Sequence, residues 1–203
     1  MNRPDVTMMI LVHNAFRRDV DRMRAAATRA DQFPALQATW RTFSRYLTIH
    51  HTAEDEILWP TVQAELGRPT ALLTDMADEH ALLDPLLTQI SQLLAQDKLD
   101  TLPPYLDKLS ALLTAHLDHE EHAALPLIQE TLTPQQWEVF GESQRRRIGI
   151  RGSTWFFPWL LDGATPEQAN WALKVLPPPV RLAYRAIWKP RYERRTSAIL
   201  AGD

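Results

Sequence analysis

The sequence predicts an all-α protein, an up-down-up-down four-helix bundle with a helical C-terminal extension. Three observations lead there. Apolar residues recur at spacings of three and four, and no segment sustains the period-2 alternation of a half-buried strand. Breaks near residues 31–34, 67–69, 101–104 and 133–134 divide the chain into long segments joined by short loops. Six glycines in 203 residues, with no long low-complexity tract, argue against disorder.

The elements follow in order. A first helix is expected from about Asp5 to Ala30, ended by Asp31-Gln32-Phe33-Pro34. Pro34 suits the first turn of a second helix, which runs to about Leu66 and is expected to bend or end near Pro60. Trp40, Phe43 and Leu47 are spaced as its core stripe. Gly67 suits a C-terminal cap and Pro69 a restart, giving a third helix to about Gln96. Thr101 precedes Pro103 and Pro104, which open a fourth helix to about Glu130. Thr133-Pro134-Gln135-Gln136 sets a capping hydroxyl before a first-turn proline, with glutamine three positions on. Thr165-Pro166-Glu167-Gln168 repeats that signal and starts a C-terminal helix.

Charge divides the chain at about Thr133-Pro134. Residues 1–135 hold 11 Lys+Arg against 19 Asp+Glu, and residues 136–203 hold 11 against 6. All seven histidines lie between positions 13 and 122. Two units are therefore expected: residues 1–133 with the histidines, and a basic, Trp-rich extension over 134–203 packed on them. The run Trp155-Phe156-Phe157-Pro158-Trp159-Leu160-Leu161 is too apolar for a free linker and reads as the plug that docks this extension. Arg145, Arg146, Arg147 and Arg151 form a basic cluster too small for a nucleic-acid face on a chain of net charge −3. No stretch approaches the ~20 apolar residues of a membrane span. His13 interrupts the N-terminal run Met8–Val12, which argues against a signal peptide, so the expected location is the cytoplasm. No cysteine is present, so any bound metal must take nitrogen and oxygen ligands.

The chemistry is expected in a repeated unit. Residues 46–63, YLTIHHTAEDEILWPTVQ, and 112–129, LLTAHLDHEEHAALPLIQ, share six of 18 positions. The shared residues include His50/His116, Glu54/Glu120 and Pro60/Pro126. A His and a Glu four apart project from one helix face, one turn apart, so both reach one metal or a close pair. A carboxylate has two oxygens and can join two metals. Counted from the helix ends at about 1.5 Å per residue, His13 on the first helix falls level with His50, and His80 on the third within ~4 Å of His116. His51, His119 and His122 lie off the His50 and His116 faces and read as packed or exposed residues, or as residues beside the site or near its entrance; His51 and His119, like Asp55 and Glu121, are also possible additional ligands. Asp55 and Glu121 follow the two glutamates and read as acceptors for histidine N–H groups or as part of a solvated face. Tyr46 and Tyr105 read as core residues, with hydrogen bonding near the site as the other reading.

These motifs resemble the hemerythrin, or HHE cation-binding, family over about residues 5–130. The segment 50–60, HHTAEDEILWP, is similar to that family's second-helix signature, and 116–126, HLDHEEHAALP, to its fourth. The segments 9–14, MILVHN, and 78–83, DEHALL, resemble its first and third helices. The resemblance implies two non-heme iron ions, with manganese or zinc as alternatives. It implies His13, His50, Glu54, His80, His116 and Glu120 as ligands, the two glutamates as bridges. It departs at one place: the oxygen-carrying members have a second third-helix histidine where this chain has Asp84, followed by Pro85. Asp84 is then either a ligand or the mark of an open position.

The function implied is binding of dioxygen or a related small ligand such as peroxide or nitric oxide. The alternatives are a di-iron oxidase, oxygenase or peroxide-decomposing enzyme, and a sensor or interaction module for oxygen, iron or redox state. No nucleic-acid partner is expected, a homo-oligomer is compatible with the sequence, and no catalytic residue is assigned.

Overall fold

The computed structural model describes residues 3–201, with side chains as far as residue 197, and among these there are seven helices and no strand. Helix α1 is Thr7–Ala26. Helix α2 spans residues 33–66 as Phe33–Ala53, a π turn at Glu54–Leu58, and Trp59–Leu66. Helix α3 is Ala71–Ala95. Helix α4 spans 103–131 as Pro103–His119, a π turn at Glu120–Ala124, and Leu125–Thr131. Helices α5 and α6 are Pro134–Leu160 and Pro166–Leu173, and α7 spans 178–201 with a π turn at Tyr184–Trp188.

The boundaries obey local chemistry. Thr133 and Thr165 each close a reciprocal capping box with the glutamine three residues on. Thr70 accepts from the Leu73 N–H, and Gly67, at φ 65°, ends α2 in the left-handed conformation. Three expectations change. Helix α1 ends at Ala26, four residues early, because a 3-10 turn at Ala30–Gln32 leads into Pro34. The C-terminal helix is two helices, parted by the consecutive prolines Pro177, Pro178 and Pro179.

The third concerns Pro60: α2 runs to Leu66 as expected, and of the two readings at Pro60 the helix does not end there but passes it after a π turn. An internal proline lacks an N–H, and its ring crowds the carbonyl four residues back. Here a π turn begins six residues before the proline. The N–H of the residue preceding the proline reaches five residues back: Trp59 to the Glu54 carbonyl, Leu125 to Glu120, and Lys189 to Tyr184. The extra residue in each turn widens the helix enough to carry it past Pro60, Pro126 and Pro190.

Two apolar clusters sit at different heights along α1–α4. One holds Phe16, Leu47, Leu83 and Leu113; the other holds Met9, Leu58, Met76 and Ala124. On each helix the histidine falls between its two cluster residues. Helices α1 and α3 pass from the second cluster to the first, and α2 and α4 pass from the first to the second.

Helix α5 anchors on α1 and α2 through Trp159, which is 1% exposed. Its ring lies 4.6 Å from Tyr46 and 5.5 Å from Phe16, and its Nε1–H donates to Asp19 Oδ2 at 2.7 Å. The carbonyls that end α5 have no helical partner. Arg18 supplies one, donating to the Trp159 oxygen at 2.8 Å and the Asp162 oxygen at 2.6 Å. Asp162 in turn accepts from Arg22 at 2.6 Å and from the Tyr192 hydroxyl at 3.0 Å, tying α1 to α7.

Burial alone would raise the Asp162 carboxyl, but the Arg22 hydrogen bond and charge outweigh it and hold it below the usual value. Its contribution to stability is complete above the unfolded-state carboxylate range and is lost as pH falls through the lowered folded value. Asp162→Asn is therefore expected to cost about 1 kcal/mol near neutrality. It should also flatten the acid side of the stability curve, as checked by denaturant melts from pH 3 to pH 7.

Candidate metal centre

On α2, at about 100° per residue, Glu54 stands some 40° from His50 and some 60° from His51, between the two. The consecutive histidines thus straddle one carboxylate, and the π turn opens directly after them. On α4, His116 and Glu120 repeat the His50/Glu54 spacing, but Leu117 fills the place of His51 and is buried in the apolar core. Helices α1 and α3 bring His13 and His80 to the same level.

Two groups of potential ligand atoms result, each with all its atoms within 4.8 Å of one another. The first is His13, His50, Glu54 and Glu120; the second is His51, Glu54, His80 and His116. Glu54 belongs to both. Its Oε1 lies 3.0 Å from His50 Nε2 and its Oε2 lies 3.5 Å from His80 Nε2. Glu120 Oε2 lies 3.2 Å from His13 Nε2. The pairs His13/His50 and His80/His116 face each other through Nε2 atoms 3.2 Å apart. All seven side chains are buried, none above 5% exposure.

The outer nitrogens fix the tautomers of three histidines. His13 Nδ1 donates to Glu121, His80 Nδ1 to Asp55 and His116 Nδ1 to Glu79, each at 2.8 Å. A neutral imidazole that gives its Nδ1–H outward presents only a lone pair at Nε2. The centre is therefore rich in acceptors: the four oxygens of Glu54 and Glu120 and the His51 Nε2 are buried without a hydrogen-bond partner among the described residues, as is the His50 Nδ1. A bound cation would satisfy such a set. The spacing also fits, since two nitrogens each about 2.0–2.1 Å from one ion and at right angles stand about 3 Å apart.

The electrostatics agree. Burial, followed by the neighbouring Glu120, pushes the Glu54 carboxyl far up. Burial opposes ionisation of Glu120 as well, but His13 outweighs it and holds Glu120 below the usual value. His13 is raised, burial notwithstanding, by Glu120 and Glu121. Burial drives His50 and His51 far down, with the surrounding histidines adding to it.

Six expected ligands thus converge, and of the possible additional ligands His51 is the one that joins a donor group. It stacks on His80 with centroids 4.0 Å apart. Measuring its angle from His50 alone hides this; measuring from Glu54 reveals it. Glu120 joins the first group only. Asp84 is exposed on α3 and lies in neither group. Asp55 and Glu121 face His80 and His13, and Arg17 holds Glu121 at 2.7 Å and Asp118 at 2.6 Å. His119, a third exposed, shares Glu79 with His116, and exposed His122 bonds the Asp118 carbonyl. Glu79 is absent from the residues that sequence reasoning singled out. Its signal was an acid directly preceding His80, a neighbour of the kind that also follows Glu54 and Glu120.

A model of the Hemerythrin HHE cation binding domain matches residues 5–128. The chain belongs to this family. All of the donors in both groups fall inside the matched hemerythrin region, and α5–α7 lie beyond it. No curated protein and no solved structure matches the chain. No described helix of this hemerythrin-family protein is long and apolar enough to cross a membrane.

Glu54→Gln removes a carboxyl that burial keeps from ionising, while keeping its shape. In metal-free protein it is expected to stabilise the fold by about 1–3 kcal/mol near neutral pH. Because the folded carboxyl is raised, the gain should be absent below about pH 4 and grow as pH rises above the unfolded-state value. Chemical denaturation of chelator-treated wild type and variant at several pH values checks this.

Proposed function

We propose that this hemerythrin-family chain is a non-heme di-iron protein that binds dioxygen or a related small ligand such as peroxide or nitric oxide. In this reading α1–α4, within residues 1–133, form an up-down-up-down bundle, and residues 134–203 are an extension packed against it. One ion would be held by His13, His50, Glu54 and Glu120, and the other by His51, Glu54, His80 and His116. The observation that carries the proposal is Glu54, whose two oxygens face different histidines, at 3.0 Å and 3.5 Å. A carboxylate so placed serves a pair of ions better than a single one.

Nitrogen and oxygen donors without thiolate suit iron, with manganese and zinc the competitors. When bound, an iron pair supplies electron transfer and coordination positions for a diatomic or peroxide ligand. The chain's own residues do the rest. Glu121, Asp55 and Glu79 hold three imidazoles with their Nε2 lone pairs inward. Phe16, fully buried with its ring 5.4 Å from His50, keeps water from that side. The burial of every donor restricts access to small molecules. His51 adds a nitrogen in the second group, where the oxygen-carrying relatives draw on a second third-helix histidine.

Protein purified from its native host is expected to carry about two irons per chain and to change its visible absorption reversibly on deoxygenation. Elemental analysis and spectroscopy decide this; two zinc ions would keep the site and overturn the function, and no metal would overturn both. Glu54→Ala should lower bound metal below one ion per chain. Glu79→Gln, which leaves every inner donor in place, should weaken metal affinity by roughly 10–100-fold in a chelator competition.

A further inference from the structure

A cavity of about 640 Å³ lies away from the metal centre, between α1, α2, α5 and α7. That is within the range of about 300–1,000 Å³ that holds a small organic ligand. The chain carries a net charge of −3, yet this cavity is lined by Arg22, Arg29, Arg41, Arg45 and Arg195 against one acid, Asp19. Asp19 offers no countercharge to a ligand, because Arg18 takes its Oδ1 and the Trp159 Nε1–H takes its Oδ2. Arg22 and Arg29 have carboxylate partners in Asp162 and Asp31. Arg41, Arg45 and Arg195 form no ion pair with any described carboxylate. Arg195 lies over the Trp155 ring at 5.1 Å and Arg45 near the Tyr46 ring at 6.0 Å.

The rest of the lining is largely apolar. Trp155, Trp159 and Tyr46 contribute aromatic surface. Ala25, Ala26, Ala35 and Ala38, where α1 and α2 approach, leave the space that larger core residues would fill. The Tyr46 hydroxyl has no hydrogen-bond partner among the described residues, though its ring packs on Trp159 and Phe156. Guanidinium groups fork onto carboxylate and phosphate oxygens and also stack on aromatic rings. Arg45 also donates to the Ile148 carbonyl at 3.5 Å. A cavity that sets guanidiniums without carboxylate partners beside aromatic rings suits a ligand with an oxyanion end and a flat apolar body.

We propose that this cavity binds a small organic oxyanion, a carboxylate or phosphate monoester carried on a flat apolar body. Arg41, Arg45 and Arg195 receive the oxyanion, and Trp155, Trp159 and Tyr46 receive the body. The metal ions play no part in this contact, so the site is independent of the di-iron reading.

The test uses the full chain, as purified and after chelation, titrated with naphthalene-1-carboxylate, 1-naphthyl phosphate, neutral 1-naphthalenemethanol and inorganic phosphate. Tryptophan fluorescence and calorimetry are the readouts. Saturable one-to-one binding of at least one naphthyl anion is expected in both metal states, with the neutral alcohol and inorganic phosphate each weaker by roughly ten-fold or more. Arg41→Ala and Arg195→Ala, both at exposed positions, should each weaken the anion by roughly five- to ten-fold and lessen its salt dependence. Ala38→Phe should abolish binding by filling the cavity. A circular-dichroism melt accompanies each variant, and the arginine variants carry the test if the Phe variant unfolds. Equal binding of the alcohol, arginine variants that bind like wild type, or no saturable binding would each overturn the proposal. Equal binding of inorganic phosphate would mean an adventitious ion only.

Discussion

Two carboxylates and five imidazoles are held out of water between two apolar clusters, and outward hydrogen bonds turn three of the imidazoles with Nε2 inward. Everything around them follows from keeping that set together. Isolated buried acceptors cost several kcal/mol, and a buried carboxylate costs more. The chain tolerates this because Phe16, Phe43, Leu47 and Leu83 on one side, and Leu58, Met76 and Leu125 on the other, lock the four helices at one depth. Helix propensity alone would not fix that depth; the packed clusters do.

The backbone carries the second constraint. The glutamates are the first residues of π turns, and the turns are tied to prolines six residues later. The spacing shared by the two repeated segments is thus a backbone device as well as a ligand pattern. Tyr184 and Pro190 use the same device in α7, where no ligand is involved. The π turn is therefore this chain's way of carrying a helix past a proline, and the centre exploits the local widening it brings.

Much of this was legible in the sequence. Helix starts were readable at Thr133 and Thr165 because a cap is a local hydrogen-bond pattern, and the ends at Gly67 and before Pro69 were readable for the same reason. His13, His50, Glu54, His80, His116 and Glu120 could be gathered from spacing, depth and the family resemblance together. His51 was legible only as one of several possible further ligands, because its role depends on where Glu54 points relative to a third helix. Glu79 could not, because its partner His116 is 37 residues away on α4. The course of α2 past Pro60 depends on a widened turn that no residue preference announces. The split of the C-terminal helix lay in plain sight at Pro177–Pro179 and needed only the rule that consecutive prolines end helices.

The asymmetry between the repeated segments has a chemical consequence. The first donor group has two histidines and two carboxylates, and the second has three histidines and one shared carboxylate. A cation in the first position would meet more negative charge, reinforced through His13 by Glu121, whose own charge Arg17 shares. A cation in the second would meet mostly neutral nitrogens, two of them backed by Glu79 and Asp55. Ligand charge favours the higher oxidation state, so an iron pair here would not be electronically equivalent. Two features make the difference: the residue after the first histidine of each repeated segment is His51 in one and Leu117 in the other, and Glu54 enters both groups while Glu120 enters one. The similarity of the two segments therefore does not extend to a symmetric centre.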